Sequence, residues 1–145
     1  MRSLSAFLKQ NALPAKNKFV VISERFIDED GKPMQWELRP IPEKENAKLR
    51  EDCMKRDYSK QARKNGTTID FDTTLYTQKL LAASVVYPDL KDSQLQGNYG
   101  VVGEDTLLVE LLFNDEYALL RDEVDNFNSY LSRNQEEDKA EVKNS

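Results

Sequence analysis

The chain has no histidine and a single cysteine among 145 residues. The missing histidine removes the usual general base near neutral pH and the commonest transition-metal ligand. Cys53, alone, can form neither an internal disulfide nor a multi-cysteine zinc site. It also lacks the histidine that usually activates a thiol nucleophile, and it reads as a small, partly buried apolar residue. Long apolar runs are missing as well. The stretch "LLAASVVYP" is roughly half of the ~18 residues that a membrane span needs. The opening "MRSLSAFLKQNALP" carries no continuous apolar segment of signal-peptide length. These absences lead to the expectation of a soluble cytoplasmic protein with no catalytic residues, cofactor or metal.

What is present suits one foldable domain. Hydrophobic residues make up 39% and charged residues 32%, a mixture too apolar for a fully disordered chain. The net charge of −5 is unevenly spread. Residues 43–64 hold eight Lys/Arg against five Asp/Glu, and residues 104–145 hold twelve Asp/Glu against four Lys/Arg. The acidic half disfavours general nucleic-acid binding, and the asymmetry admits head-to-tail contact between copies; two plainly solvated faces are the simpler alternative.

The stretch "FIDEDGKPMQWE", residues 26–37, sets three acids before a glycine. In a calcium-binding EF-hand loop the glycine stands sixth and a glutamate twelfth. Aligning on Gly31 places Asp28, Asp30 and Glu37 at ligand positions, but Phe26 falls at the first, where it cannot ligate. The flanks also alternate like strands: "KFVVISERF" is β-branched and aromatic, and Met34, Trp36 and Leu38 alternate with Gln35, Glu37 and Arg39. Asp-Gly between two such runs predicts a hairpin turn. Trp36 becomes the anchor of its buried face.

Helical signals surround this hairpin. Ser3 caps a short helix bearing Leu4, Phe7 and Leu8. "EKENAKLREDCMKR", from Glu43, predicts a polar helix with Ala47, Leu49 and Cys53 as a thin apolar stripe, and "SKQARKNGTTIDFD" a loop broken by Gly66. Asp72 caps a helix running through Tyr76, Leu80, Ala83 and Val86 to Tyr87–Pro88. A short helix surrounds Leu95, with a turn at Gly97, and "EDTLLVELLF" predicts a further apolar helix. Asp115 caps the last one, where Tyr117, Leu120, Val124, Phe127 and Leu131 recur at spacings of 3, 4, 3 and 4. That seam fits packing inside its own domain, with a partner helix as the other reading. Strands followed by helices define an α+β fold: a short N-terminal helix and β-hairpin, then a mainly helical bundle. One domain is expected over residues 1–132, with 133–145 a disordered polar tail.

The pattern of these segments resembles a known family. "FVVISERFIDEDGKPMQWELRPI", "LREDCMKR", "DFDTTLYTQKLLAASVVYPDLKDSQLQGNYGVVG" and "LLVELLFNDEYALL" are together similar to the XkdN-like phage tail assembly chaperones, and "LSAFLKQNALP" fits too. The likeness runs from about Leu4 to Val124 and carries no catalytic motif. It implies a non-enzymatic protein of the host bacterial cytoplasm, made by a phage, a prophage or a tail-like particle. Such a protein binds the tape measure protein and keeps it soluble until the tail tube polymerises, and it is absent from the mature particle. The resemblance admits the tail tube protein as a second partner, and a homo-oligomer. A structural tail protein, either terminator or connector, is the alternative, and an enzyme with an unrecognised carboxylate site is a third. Apolar helical faces on the partner call for apolar grooves here. The candidate contact residues are Leu111, Leu112, Phe113, Tyr117, Leu120, Val124, Phe127 and Leu131, although sequence alone does not separate groove from core.

Overall fold

Backbone pairing around Trp36 organises the chain. The structure, a computed structural model, describes residues 2–56 and 69–128. Strand β2 (Trp36–Leu38) lies between β1 (Lys18–Val20) and β5 (Val85–Tyr87), antiparallel to both. Val20 pairs with Trp36 and Lys18 with Leu38. The predicted alternation is realised: Trp36 and Leu38 are buried, Met34 is half-buried and Gln35 faces solvent.

The hairpin forms, but its strands are much shorter than the apolar runs suggest. A single bridge between Ile27 and Pro33 continues it toward the turn. Within the turn, the Asp28 carboxylate accepts the Asp30 and Lys32 amides at 2.8 and 3.0 Å. Gly31 supplies the left-handed residue at φ +80°. The acidic loop is therefore an aspartate-closed turn between paired backbones, and the flanking helices of an EF-hand are not there.

The N-terminal segment contains a single 3-10 turn, Ser5–Phe7, none of whose residues is buried. Helix α1 (Glu43–Asp52) ends four residues earlier than the expected Arg56. Strand β3 (Met54–Arg56) then pairs antiparallel with β4 (Ile69–Phe71), so two segments assigned to helix and loop form a second small sheet. The cause is tertiary. Cys53 turns inward and is 1% exposed, and its carbonyl accepts the Asp72 amide at 2.9 Å, which fixes both strand ends. Gly66 lies outside the described residues.

Asp72 caps α2 (Thr73–Ser84) as expected, accepting the Leu75 amide at 3.0 Å. The helix stops at Ser84, not at Tyr87. The buried Ser84 hydroxyl donates back to the Leu80 carbonyl, and Val85–Tyr87 joins the main sheet as its third strand. Two valines and a tyrosine before proline favour extended backbone, and β2 offers them an open edge. Asp92 caps the short α3 (Ser93–Asn98), which contains Gly97; the turn comes later, at Gly100 with φ +67°.

Helices α4 (Glu104–Leu111) and α5 (Asn114–Asn128) complete the order. Asp115 lies inside the first turn of α5 and does not cap it. Glu116 does that work by reaching back to accept the Phe113 amide at 2.8 Å, half of a capping box. One core holds the body together, built from Ile22, Trp36, Leu38, Leu81, Leu107, Leu108, Leu120 and Val124. The α+β class is as expected, with an N-terminal turn and hairpin followed by helices. The expected tail, 133–145, falls outside the described residues.

Candidate partner-binding surface

Residue Arg25, on the loop after β1, determines how α4 passes into α5. Its Nε and Nη2 donate to the two carboxylate oxygens of Glu116 at 3.0 and 2.6 Å. Nη2 also donates to the Leu111 carbonyl at 3.1 Å, satisfying an acceptor that the end of α4 leaves free. The guanidinium carbon lies 4.4 Å from the centre of the Phe113 ring and 4.9 Å from that of Phe26. The pair holds the Glu116 carboxyl down at about 2, mainly through the Arg25 hydrogen bonds, with Ser23 and the Phe113 amide helping. A second tie, Lys18 to Glu123 at 2.7 Å, fastens β1 to the middle of α5.

These ties sort the eight candidate contact residues into different surroundings. Leu120 and Val124 are sealed in the core at 0% and 1% exposure, so the middle of the seam packs on its own domain. Leu111 and Leu112 are also buried. Of these four, Leu120 and Val124 are closed to a partner in the folded chain, while Leu111 and Leu112 each keep an exposed edge of 7%. Tyr117 and Phe127 are half-buried, and burial pushes the Tyr117 phenol upward. Phe113 projects with 65% of its surface exposed. Leu131 lies outside the described residues.

Two depressions flank the α4–α5 junction. A groove of about 520 Å³ runs between α2, α4 and α5, with Thr73, Thr77, Val109, Leu112, Tyr117 and Arg121 on its walls. A smaller cleft of about 160 Å³ lies on the sheet side, lined by Phe26, Met34, Trp36, Tyr87, Leu95 and Tyr99. Leu112 and Tyr117 therefore face the groove, whereas Leu111 touches the cleft. Val109, half-exposed on the groove wall, was missed in the sequence because it falls between the two leucine pairs of an apolar helix. The cleft was missed because its walls come from separate segments.

Other chemistry is sparse. Among the described residues, no group of three or more acidic, cysteine or histidine side chains could hold a metal ion. No helix among them is long and apolar enough to cross a membrane. Burial pushes the Cys53 thiol up, away from the reactive thiolate.

The fold and its surfaces define a small α+β protein with a mixed polar and apolar groove between helices and a smaller apolar cleft on the sheet side. The chain belongs to the phage XkdN-like tail assembly chaperone family, whose sequence profile matches residues 4–143. It is therefore a phage tail assembly chaperone by family. The match extends into the segment expected to be a tail. No curated protein is significantly similar to the chain. The crystal structure of the protein yqbn, a structural-genomics target, has the same fold, with a TM-score of 0.74 at 19% identity. The alignment covers 89% of this chain and 98% of that one.

Proposed function

We propose that this chaperone binds the tape measure protein and keeps it soluble until tail tube subunits displace it. The observation that carries the reading is the groove between α2, α4 and α5, with half-exposed Val109 on its wall and the exposed Phe113 ring at the α4–α5 junction. A tape measure protein is a long helical chain whose apolar stripes aggregate when bare, and a groove between helices receives such a stripe. The net charge of −5 keeps the complex dispersed. On this reading the protein is not an enzyme, acts in the host bacterial cytoplasm and leaves before the particle matures.

Co-expression tests it. With its cognate tape measure protein, the chain should move that protein from the pellet to the supernatant, and the complex should survive moderate salt because apolar burial is not screened. A tape measure protein that stays insoluble with the chaperone present rejects the reading. Mass spectrometry of purified particles should not find the chain. A stoichiometric amount there would favour a terminator or connector.

A further inference from the structure

The segment before β1 is apolar, basic and without a seat on its own chain. Leu4, Phe7 and Leu13 are 76%, 82% and 92% exposed, and Leu8 is about half exposed. The 3-10 turn that carries Phe7 is held locally, with the Ser3 hydroxyl accepting the Ser5 amide and the Asn11 side chain donating to the Ser5 carbonyl. The conformation is thus built, while its apolar side chains touch no core. Before β1 the segment carries Arg2, Lys9 and Lys16 and no acid.

The opposite features meet at the sheet-side cleft. Its volume of about 160 Å³ is close to the ~150 Å³ of an apolar cavity that accepts benzene. Its walls are almost wholly aromatic and aliphatic. The loop joining two of them, Phe26 and Met34, bears Asp28, Glu29 and Asp30 against Lys32. The connection from Pro88 to Leu95 bears Asp89 and Asp92 against Lys91. An apolar hole sized for one ring is therefore joined by two loops of net negative charge, the Arg25 cation over its Phe26 wall is paired with Glu116, and the same chain presents an unseated ring on a basic arm.

We infer that the occupant is a second copy of this chain, whose N-terminal arm seats Phe7 in the cleft lined by Trp36, Tyr87 and Tyr99. Size and charge both match, and Phe7 does not occupy its own cleft. The contact is heterologous, because each copy offers a different surface at either end. It propagates into open arrays unless the rotation closes a ring. A single arm buries less than a standard interface, so association is weak and concentration-dependent. The inference rests on the arm and the cleft and is independent of the tape measure groove.

Sedimentation of the full chain over a concentration series tests it. Wild type should associate as concentration rises, into a closed dimer where two arms exchange and into larger species where they do not. Phe7→Asp should weaken association by about ten- to a hundredfold, the equivalent of one buried phenylalanine, with an unchanged melting temperature. Tyr87→Lys, at a half-exposed position, should weaken association at least as much by repelling the basic arm. A mixture of the two variants, one with an intact cleft and the other with an intact arm, should recover a dimer and nothing larger. Four outcomes overturn the inference: a wild type that stays monomeric up to about a millimolar, a Phe7→Asp chain that associates like wild type, a mixture that stays monomeric, or a Phe7→Asp monomer that melts lower because the ring had docked on its own body.

Discussion

Arg25 and Glu116 lie 91 residues apart in the chain and meet as a two-point ion pair that closes the N-terminal loop over the α4–α5 junction. The Glu116 side chain is 11% exposed and the Arg25 side chain 43%. The carboxylate is thus sheltered, while solvent reaches its partner. The arrangement fixes three things together: the exit of α4 through the Leu111 carbonyl, the start of α5 through the Phe113 amide, and the Phe113 ring beneath the guanidinium.

The pair makes stability depend on acid. Glu116 falls from an ordinary 4.5 to about 2 in the folded chain. Its stabilisation is complete above the unfolded value and is lost as pH falls from about 5 toward 2. The whole depression would amount to about 3 kcal/mol, and screening at half-exposed Arg25 reduces it to about 1–2 kcal/mol. Glu45, held down by Arg39, and Asp72, held down by the Leu75 amide, titrate in the same direction. The informative comparison is therefore with Glu116→Gln. Denaturation midpoints measured from pH 7 to pH 3 should converge for the two proteins, and a gap that stays constant would remove Glu116 from the acid response.

Trp36 is the sheet's anchor. Trp36→Ala should cost about 3–5 kcal/mol, the range for a large aromatic leaving a cavity. Gln35→Ala, one residue away on the solvent face, should cost about 0.5 kcal/mol or less. Urea denaturation read by far-UV circular dichroism distinguishes them, since Trp36 is the only tryptophan and its removal abolishes the fluorescence signal. Equal midpoints for both variants would contradict the buried register of β2.

Asp72 joins a helix cap to a sheet end. Its side chain accepts the Leu75 amide, and its other oxygen lies 3.5 Å from Lys55 Nζ. Asp72→Ala should cost about 1 kcal/mol, the usual value of an N-cap. Asp72→Asn keeps the acceptor and should cost much less. If the two variants lose equal stability in chemical denaturation, the charge matters more than the cap.

How much of this could be read from the sequence differs from element to element. Alternation about Trp36 and the aspartate at position 72 are local signals, and both predicted their structures. Val85–Tyr87 carried a strand composition, but at the end of an apolar helix its state is decided by the open edge of β2, which no local window contains. Met54–Arg56 and Ile69–Phe71 likewise become strands only by meeting each other. The seam of α5 marked a buried face correctly at Leu120 and Val124, yet periodicity cannot say whose core buries it. The placement of the Phe113 ring depends on Arg25, far away in sequence, and the cleft around Trp36 depends on separate segments converging. Turn chemistry was readable at Asp28 and Gly31 because it needs only neighbours.

That turn gives a further expectation. Asp28 Oδ1 is occupied by two backbone amides. Asp28→Ala should therefore destabilise the hairpin by about 1–2 kcal/mol, through two lost hydrogen bonds. Titration calorimetry with millimolar calcium should give no saturable isotherm. A stoichiometric site with a dissociation constant below about a millimolar would mean that the loop opens to ligate.

Separating core from contact surface requires substitutions of opposite character. Leu120 is fully buried, and Leu120→Ala should cost about 2–5 kcal/mol. It should still solubilise the tape measure protein at temperatures where circular dichroism shows it folded. Phe113 and Val109 are exposed, so Phe113→Ser combined with Val109→Asp should move stability far less. Loss of the Arg25 stack accounts for about 0.5–1 kcal/mol of that change. The double variant should nevertheless lose most of its ability to hold the tape measure protein in the supernatant, because a charge on the groove wall opposes burial of an apolar stripe. Reversing Lys44 and Lys48 on α1, away from the groove, serves as the charge control and should leave solubilisation intact. If the folded double variant solubilises as well as wild type while wild type itself is active, the groove between α2, α4 and α5 is not the contact surface, and the α1 control would then show whether charge carries the interaction.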